Sequence, residues 1–205
     1  MGSEMCIRDS LGIVYQSRSD LPKAIECYEK ASNSAREAGD QVREAQAYLN
    51  LGIVYKSRSD VPQAMECYEK ALKSAREAGD RATEGKACLH LGIVYKSRSD
   101  LPQAMECYEK ALKTAREAGD RATEGNACLH LGIVYKSRSD FRQAMECYEK
   151  ALKNAREAGD RASEGNAYFN LAIVYQSRSD LPKACLLYTS PSPRDLSTSR
   201  MPSSA

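Results

Sequence analysis

Apolar residues along this chain fall at helical spacing and then repeat. Around the stretch Leu91–Asp120, LGIVYKSRSDLPQAMECYEKALKTAREAGD, Cys88 just before it and Leu91, Gly92 and Tyr95 within it stand at i, i+3, i+4 and i+7. This spacing places them on one face of a helix over about residues 81–96. The polar turn Ser97–Asp100 follows. Asp100 is a good N-cap, and Gln103 three residues later completes a capping-box pattern. Pro102 lies in the first turn, where a missing N–H costs little. The pattern predicts a second helix over 101–118, with Ala104, Cys107, Tyr108, Ala111 and Ala115 inside. Glu106, Glu109, Lys110, Lys113 and Arg116 lie outside, and Glu106 and Lys110 form an i,i+4 pair. Gly119 is placed to end the helix in the left-handed conformation, and Asp120 to cap the next one.

The same thirty residues, lightly edited, begin at Leu11, Leu51 and Leu131, and a fifth copy starts at Leu171. The period is forty residues, and 81–120 differs from 121–160 at only four of forty positions. A fixed period of this size marks a stacked repeat architecture. The units are 11–40 (partial), 41–80, 81–120, 121–160 and 161–184 (partial). Only small residues occur at the Gly92 register, namely Gly12, Gly52, Gly132 and Ala172. Glycine inside a helix costs about 1 kcal/mol relative to alanine, so a close approach of the partner helix is expected there.

Leu91, Gly92, Tyr95, Ala104, Tyr108 and Ala111 match, in order, the small–large pattern of the tetratricopeptide repeat, which the chain resembles over residues 11–184. The aromatic usual near the start of the motif is Tyr48 and Tyr168 in two copies and is replaced by Cys88 and Cys128 in two others. Arg116 stands where a proline usually closes a shorter unit. The forty-residue unit is similar to the subclass found in Pins/LGN-type polarity scaffolds. The resemblance implies an all-α solenoid, a right-handed superhelix of antiparallel helix pairs.

The two ends depart from the repeat. MGSEMCIRDS fits no unit, and Cys185 breaks the register that Ile25, Met65, Met105 and Met145 keep. Both ends resemble translated transposase-type sequencing adapters, the same element in opposite orientations. Residues 1–10 and 185–205 are therefore expected to be additions to a fragment of a longer array.

Composition narrows the function. The formal net charge is +2, without the strongly basic face that nucleic-acid binders show. No apolar run approaches the eighteen or so residues of a membrane helix, so neither nucleic acid nor membrane insertion is expected. Of eight cysteines, Cys6 and Cys185 lie in the adapter-like ends. The remainder repeat at registers expected about 10 Å apart, beyond the 7 Å or so that a disulfide spans. They read as small side chains in a reducing, cytoplasmic setting. His90 and His130, one period apart, lack the further ligands a metal needs. No nucleophile–base–acid constellation and no glycine-rich phosphate loop occurs. The expectation is therefore no enzyme, no cofactor and no metal.

One stripe of each first helix, about 200° round from the Leu91/Tyr95 face, is left after packing is assigned. It comprises Gln46, Leu49, Asn50, Ile53 and Lys56, then Lys86, Leu89, His90, Ile93 and Lys96. The next two units supply Asn126, Leu129, His130, Ile133 and Lys136, then Asn166, Phe169, Asn170, Ile173 and Gln176. In tetratricopeptide arrays this stripe lines the concave groove, so the resemblance implies a scaffold that binds a peptide or helical segment. Leu89 and Ile93 have the alternative of packing between neighbouring first helices. They also stand where family members that grip a C-terminal carboxylate place Lys and Asn, so that clamp is not expected. Scattered lysines beside apolar residues favour an amphipathic or mildly acidic protein ligand. The alternative function is the recognition part of a larger sensor or enzyme.

Overall fold

The computed structural model describes the backbone of residues 2–177 and the side chains from Ser10 to Ser177. Helices in chain order are α1 (Gly2–Ser17), α2 (Leu21–Glu37), α3 (Gln41–Ser57), α4 (Val61–Ala78), α5 (Arg81–Ser97), α6 (Leu101–Ala118), α7 (Arg121–Ser137), α8 (Phe141–Ala158) and α9 (Arg161–Ser177). The described residues contain no strand. The helix of residues 2–10 runs directly into the first repeat, while the expectation for 185–205 lies outside the described residues.

Both corners of a unit follow from its capping residues. At the α5–α6 turn, Asp100 accepts from the Gln103 backbone N–H at 3.2 Å. The predicted capping box is only half made. The Asp100 N–H donates back to Tyr95 O at 3.0 Å, so it has no use for the Gln103 side chain. Ser99 carries this turn at φ 63°, as Ser19, Ser59 and Ser139 do in theirs. The other corner uses Gly119 at φ 70°, and Asp120 N–H donates to Ala115 O at 2.9 Å. Glycine suits that left-handed position because it has no Cβ to clash. The predicted Lys110–Glu106 pair is made at 2.6 Å, but both groups are about half exposed and the pair contributes little.

The first and second helices of each unit pack as a pair, and each second helix packs on the next first helix. Tyr28, Tyr68, Tyr108 and Tyr148 are fully buried between them, with Ala104, Ala111, Leu91 and Val94 and their equivalents, except Leu11 and Val14 of α1, which are exposed. Gly92 provides the room. A Cβ there would sit 2.5 Å from Tyr108 Cε1 and 2.6 Å from Cδ1, and Gly132 meets Tyr148 in the same way. The expected close approach is thus between a glycine and the tyrosine of its own unit's second helix.

An ion-pair network closes each unit boundary. Glu84 is buried, yet it accepts from Arg76 at 2.8 Å and from Arg81 at 2.7 Å. Glu124 repeats this with Arg116 at 2.8 Å and Arg121 at 3.3 Å. Arg116 therefore reaches round the corner to the next unit and is not simply an outer-face residue. Sequence reasoning missed the pair. Its signal is the repeated REAGD segment followed, four residues on, by glutamate at 44, 84, 124 and 164.

Successive first helices also touch, α3 with α5, α5 with α7 and α7 with α9. Successive second helices make no comparable contact. Spacing is tighter on the first-helix side, so the array curves with α3, α5, α7 and α9 inside.

Candidate functional site: the first-helix face

The predicted stripe divides by depth. Leu49, Leu89 and Leu129 are 7%, 6% and 9% exposed, and Leu89 packs in the core with Ala104, Tyr108, Ala127 and Leu131. A leucine at this register is long enough to fill the seam between neighbouring units, so the three serve packing and leave the groove surface to their neighbours. Phe169, at the same register of the last described helix, is 54% exposed. Lys86 is drawn off by Asp120, at 3.8 Å.

The half-buried members form the inner surface: Asn50, His90, His130 and Asn170, with Ile53, Ile93, Ile133 and Ile173 beside them. Asn126 is also half-buried, whereas Gln46, Asn166 and Gln176 are exposed. Asn170 Nδ2 donates to Asn166 O at 2.8 Å, one turn back in α9. Each imidazole stacks on the tyrosine of the unit before it. His90 lies over Tyr68 with ring centroids 5.1 Å apart and planes 9° from parallel, and His130 lies over Tyr108 at 5.3 Å and 10°. Nδ1 of both histidines and the hydroxyls of Tyr68, Tyr108 and Tyr148 are sealed from solvent without a partner.

Lysines set the electrostatics of this face. Burial and then Lys56 push His90 down to about 4. Burial, Lys96, Lys56 and His90 do the same to His130. Lys96 is itself lowered, first by burial and then by Lys56 and Lys136. The three lysines thus share one field. Among the described residues no carboxylate forms an ion pair with any of them; lysines 23, 30, 70, 73, 86, 110 and 153 elsewhere are paired, and Lys113 and Lys150 on the second helices are not.

On the opposite side, a cavity of about 320 Å³ opens between α2, α3 and α4. Ser32 stands there at the register of Leu72, Leu112 and Leu152, so less of the seam is filled. Tyr48 borders the gap between Arg36 and Lys70, at 5.7 Å and 5.6 Å from its ring centroid. Arg36 also bonds to the Tyr48 hydroxyl. Both cations already have acids, Glu44 and Glu66.

The described cysteines are all unbridged. Burial raises Cys67, Cys88 and Cys128 to about 11, which keeps them as thiols at neutral pH. Among the described residues no group of three or more His, Cys, Asp or Glu is placed to hold a metal ion. No described helix is long and apolar enough to cross a membrane.

The tetratricopeptide repeat family model matches residues 3–77, 85–157 and 126–189. No curated protein matches the chain. Among solved structures, BtubC (BKLC) from P. vanneervenii superposes with a TM-score of 0.78 at 23% identity, over 95% of this chain and 81% of that one. A Rap protein in complex with Competence and Sporulation Factor gives 0.74 at 17% identity, over 90% of this chain and 52% of that one. A STAND signal-transduction ATPase with a tetratricopeptide repeat sensor, from Pyrococcus horikoshii, gives 0.74 at 21%, over 88% and 28%. At these identities the likeness establishes the fold alone.

Proposed function

Because the chain belongs to the tetratricopeptide repeat family, we propose that it is an interaction scaffold, binding a peptide or helical segment of another protein along the face of α3, α5, α7 and α9 without chemical turnover. The observation that carries this reading is the row Lys56, Lys96 and Lys136, without acidic partners among the described residues, beside half-buried isoleucines. Such a mixed curved surface suits an amphipathic, mildly acidic segment. Asn50, His90, His130 and Asn170 supply hydrogen bonds to its backbone. Unbridged thiols suit a cytoplasmic setting, and the forty-residue period suits the polarity-scaffold subclass.

The test is selection of binders from a random peptide library on the full chain. Replacing Asn50, His90, His130 and Asn170 with alanine should keep helix content and weaken the selected peptides at least tenfold, about 1.4 kcal/mol. Peptides that ignore that variant but lose affinity when Glu69, Lys73 or Arg76 is changed would place the site on the outer face. A second reading, the recognition part of a larger sensor, is favoured by the likeness to the tetratricopeptide repeat sensor of the STAND ATPase. The genomic locus decides it by showing whether a catalytic domain lies in the same reading frame.

A further inference from the structure

In the first unit the hydroxyl of Tyr28 donates to Gln16 Oε1 at 3.2 Å. The next three units keep the tyrosine and change its neighbour: Lys56, Lys96 and Lys136 stand where Gln16 stands, one period on. An ammonium group has three N–H donors and no acceptor, so it cannot take the proton that Gln16 takes. The hydroxyls of Tyr68, Tyr108 and Tyr148 are sealed without a partner, although these side chains are fully buried. A third group joins each pair from the following unit. His90 stacks on Tyr68 and His130 on Tyr108, and Asn170 holds the same register after Tyr148.

Each rung therefore gathers groups that can donate, and its lysine has no carboxylate partner among the described residues. Native proteins rarely leave buried polar groups unmatched, and each exception calls for an explanation, of which a ligand from outside is one. The lysine's placement is informative because the glutamine of the first unit satisfies the same tyrosine from within the chain. Three later units give up that internal bond and gain a positive charge at the same place.

We propose that Lys56–Tyr68–His90 and Lys96–Tyr108–His130 are carboxylate sites, each taking one acidic side chain of the bound segment, with Lys136–Tyr148–Asn170 as a third. This rests on the first-helix face being the binding face, and adds which ligand atoms it holds and where. Because the hydroxyl is sealed, a carboxylate reaches it only as the lysine stem swings aside, which the exposed Lys56 is free to do, while the tyrosine, fixed against Gly52 and its imidazole, is the stationary donor. Charge-assisted hydrogen bonds of this kind are about twice as strong as neutral ones. Successive rungs lie one helix-packing distance apart, about 10 Å, so acidic side chains of the partner must recur at that interval.

The probe is a fluorescein-labelled glutamate homopeptide, which presents a carboxylate at every register, with a glutamine homopeptide of equal length as its uncharged counterpart. Both are titrated into the full chain by fluorescence anisotropy. The parent should bind the glutamate peptide at least tenfold more tightly than the glutamine peptide. Tyr68→Phe, Tyr108→Phe and Tyr148→Phe together leave the charge unchanged. They should weaken the glutamate peptide at least threefold without moving the glutamine peptide. Lys56→Gln, Lys96→Gln and Lys136→Gln should abolish the preference and raise the urea midpoint, because each glutamine restores the bond that Gln16 makes. Unchanged affinity in the phenylalanine variant overturns the proposal, since long-range attraction by lysine alone would survive that change. A parent without preference for glutamate also overturns it. The groove reading falls as well only if the library yields no peptide sensitive to Asn50, His90, His130 and Asn170.

Discussion

Replacing Gly92 with alanine tests one of the repeated glycine–tyrosine contacts of the fold. Non-bonded carbons rest at about 3.5–4.0 Å. The new Cβ would lie 2.5 Å from Tyr108 Cε1, 2.6 Å from Cδ1 and 3.1 Å from Cζ. One side must therefore move by about 1 Å. Tyr108 has no free direction, being fully buried and stacked on His130. Overpacking of this kind costs about 1–3 kcal/mol, and the better helix propensity of alanine returns about 1 kcal/mol. The net effect should be a loss of about 0–2 kcal/mol. Gly165 is the matched control, because a Cβ there meets nothing within 4 Å. Gly165→Ala should gain up to about 1 kcal/mol. The propensity contribution is common to both variants, so the difference between them, about 1–3 kcal/mol, isolates the packing cost. Urea unfolding followed by far-UV circular dichroism reads it as midpoints of opposite shift, provided the slopes agree. Equal stabilisation by both alanines would show that the tyrosine yields freely and that glycine is not required for packing.

Two further predictions concern acid. Burial alone would raise Glu84, but the hydrogen bonds from Arg76 and Arg81 outweigh it and hold the carboxyl below its ordinary 4.5. The folded chain thus gives up this proton more readily than the unfolded one. The stabilisation is present above about pH 4.5 and is lost as pH falls through the folded pKa. Glu84→Gln should cost about 1–2 kcal/mol at neutral pH and flatten the acid limb below pH 4.5, and an unchanged limb in urea midpoints refutes the clamp. His90 and His130 act at higher pH. Both sit near 4 rather than 6.5, so the unfolded chain binds more protons in that window and stability drops as pH falls through it. His90→Asn with His130→Asn uses the residue that α3 and α9 already carry at this register. That variant should lose less stability between pH 7 and pH 5 than the parent; an equal loss would mean that the rings are not held neutral by burial.

The fold was legible because its determinants are local and repeated. Apolar spacing located both helices, aspartate and glycine located the corners, and the forty-residue period implied stacking. The errors arise where a residue's partner depends on how the chain turns back. Gln103 satisfies a capping pattern, but the left-handed Ser99 brings Tyr95 O to the same N–H first. Arg76 and Glu84 are eight residues apart across Gly79, so no single-helix pattern pairs them. Leu89 belongs to the mixed stripe by angle, and of the two alternatives open to it, groove or packing, its length selects the seam.

Sequence periodicity outlines the inner face and leaves its chemistry incomplete. Helical periodicity sorts positions into buried and exposed, and Tyr108 was rightly assigned inward on that basis. It says nothing of the hydroxyl at the ring's tip, whose needs depend on the residue facing it from another helix. The comparison of units carries that information: Gln16 and Lys56 share a register, and so do Tyr28 and Tyr68. A uniform structural role would have kept the residue that satisfies the tyrosine. The change from glutamine to lysine forfeits an internal hydrogen bond and adds a charge for which the described residues supply no counter-ion. A change with those two consequences makes sense where an oxygen ligand arrives from outside, and the strength of that demand is set by three rungs acting along one face.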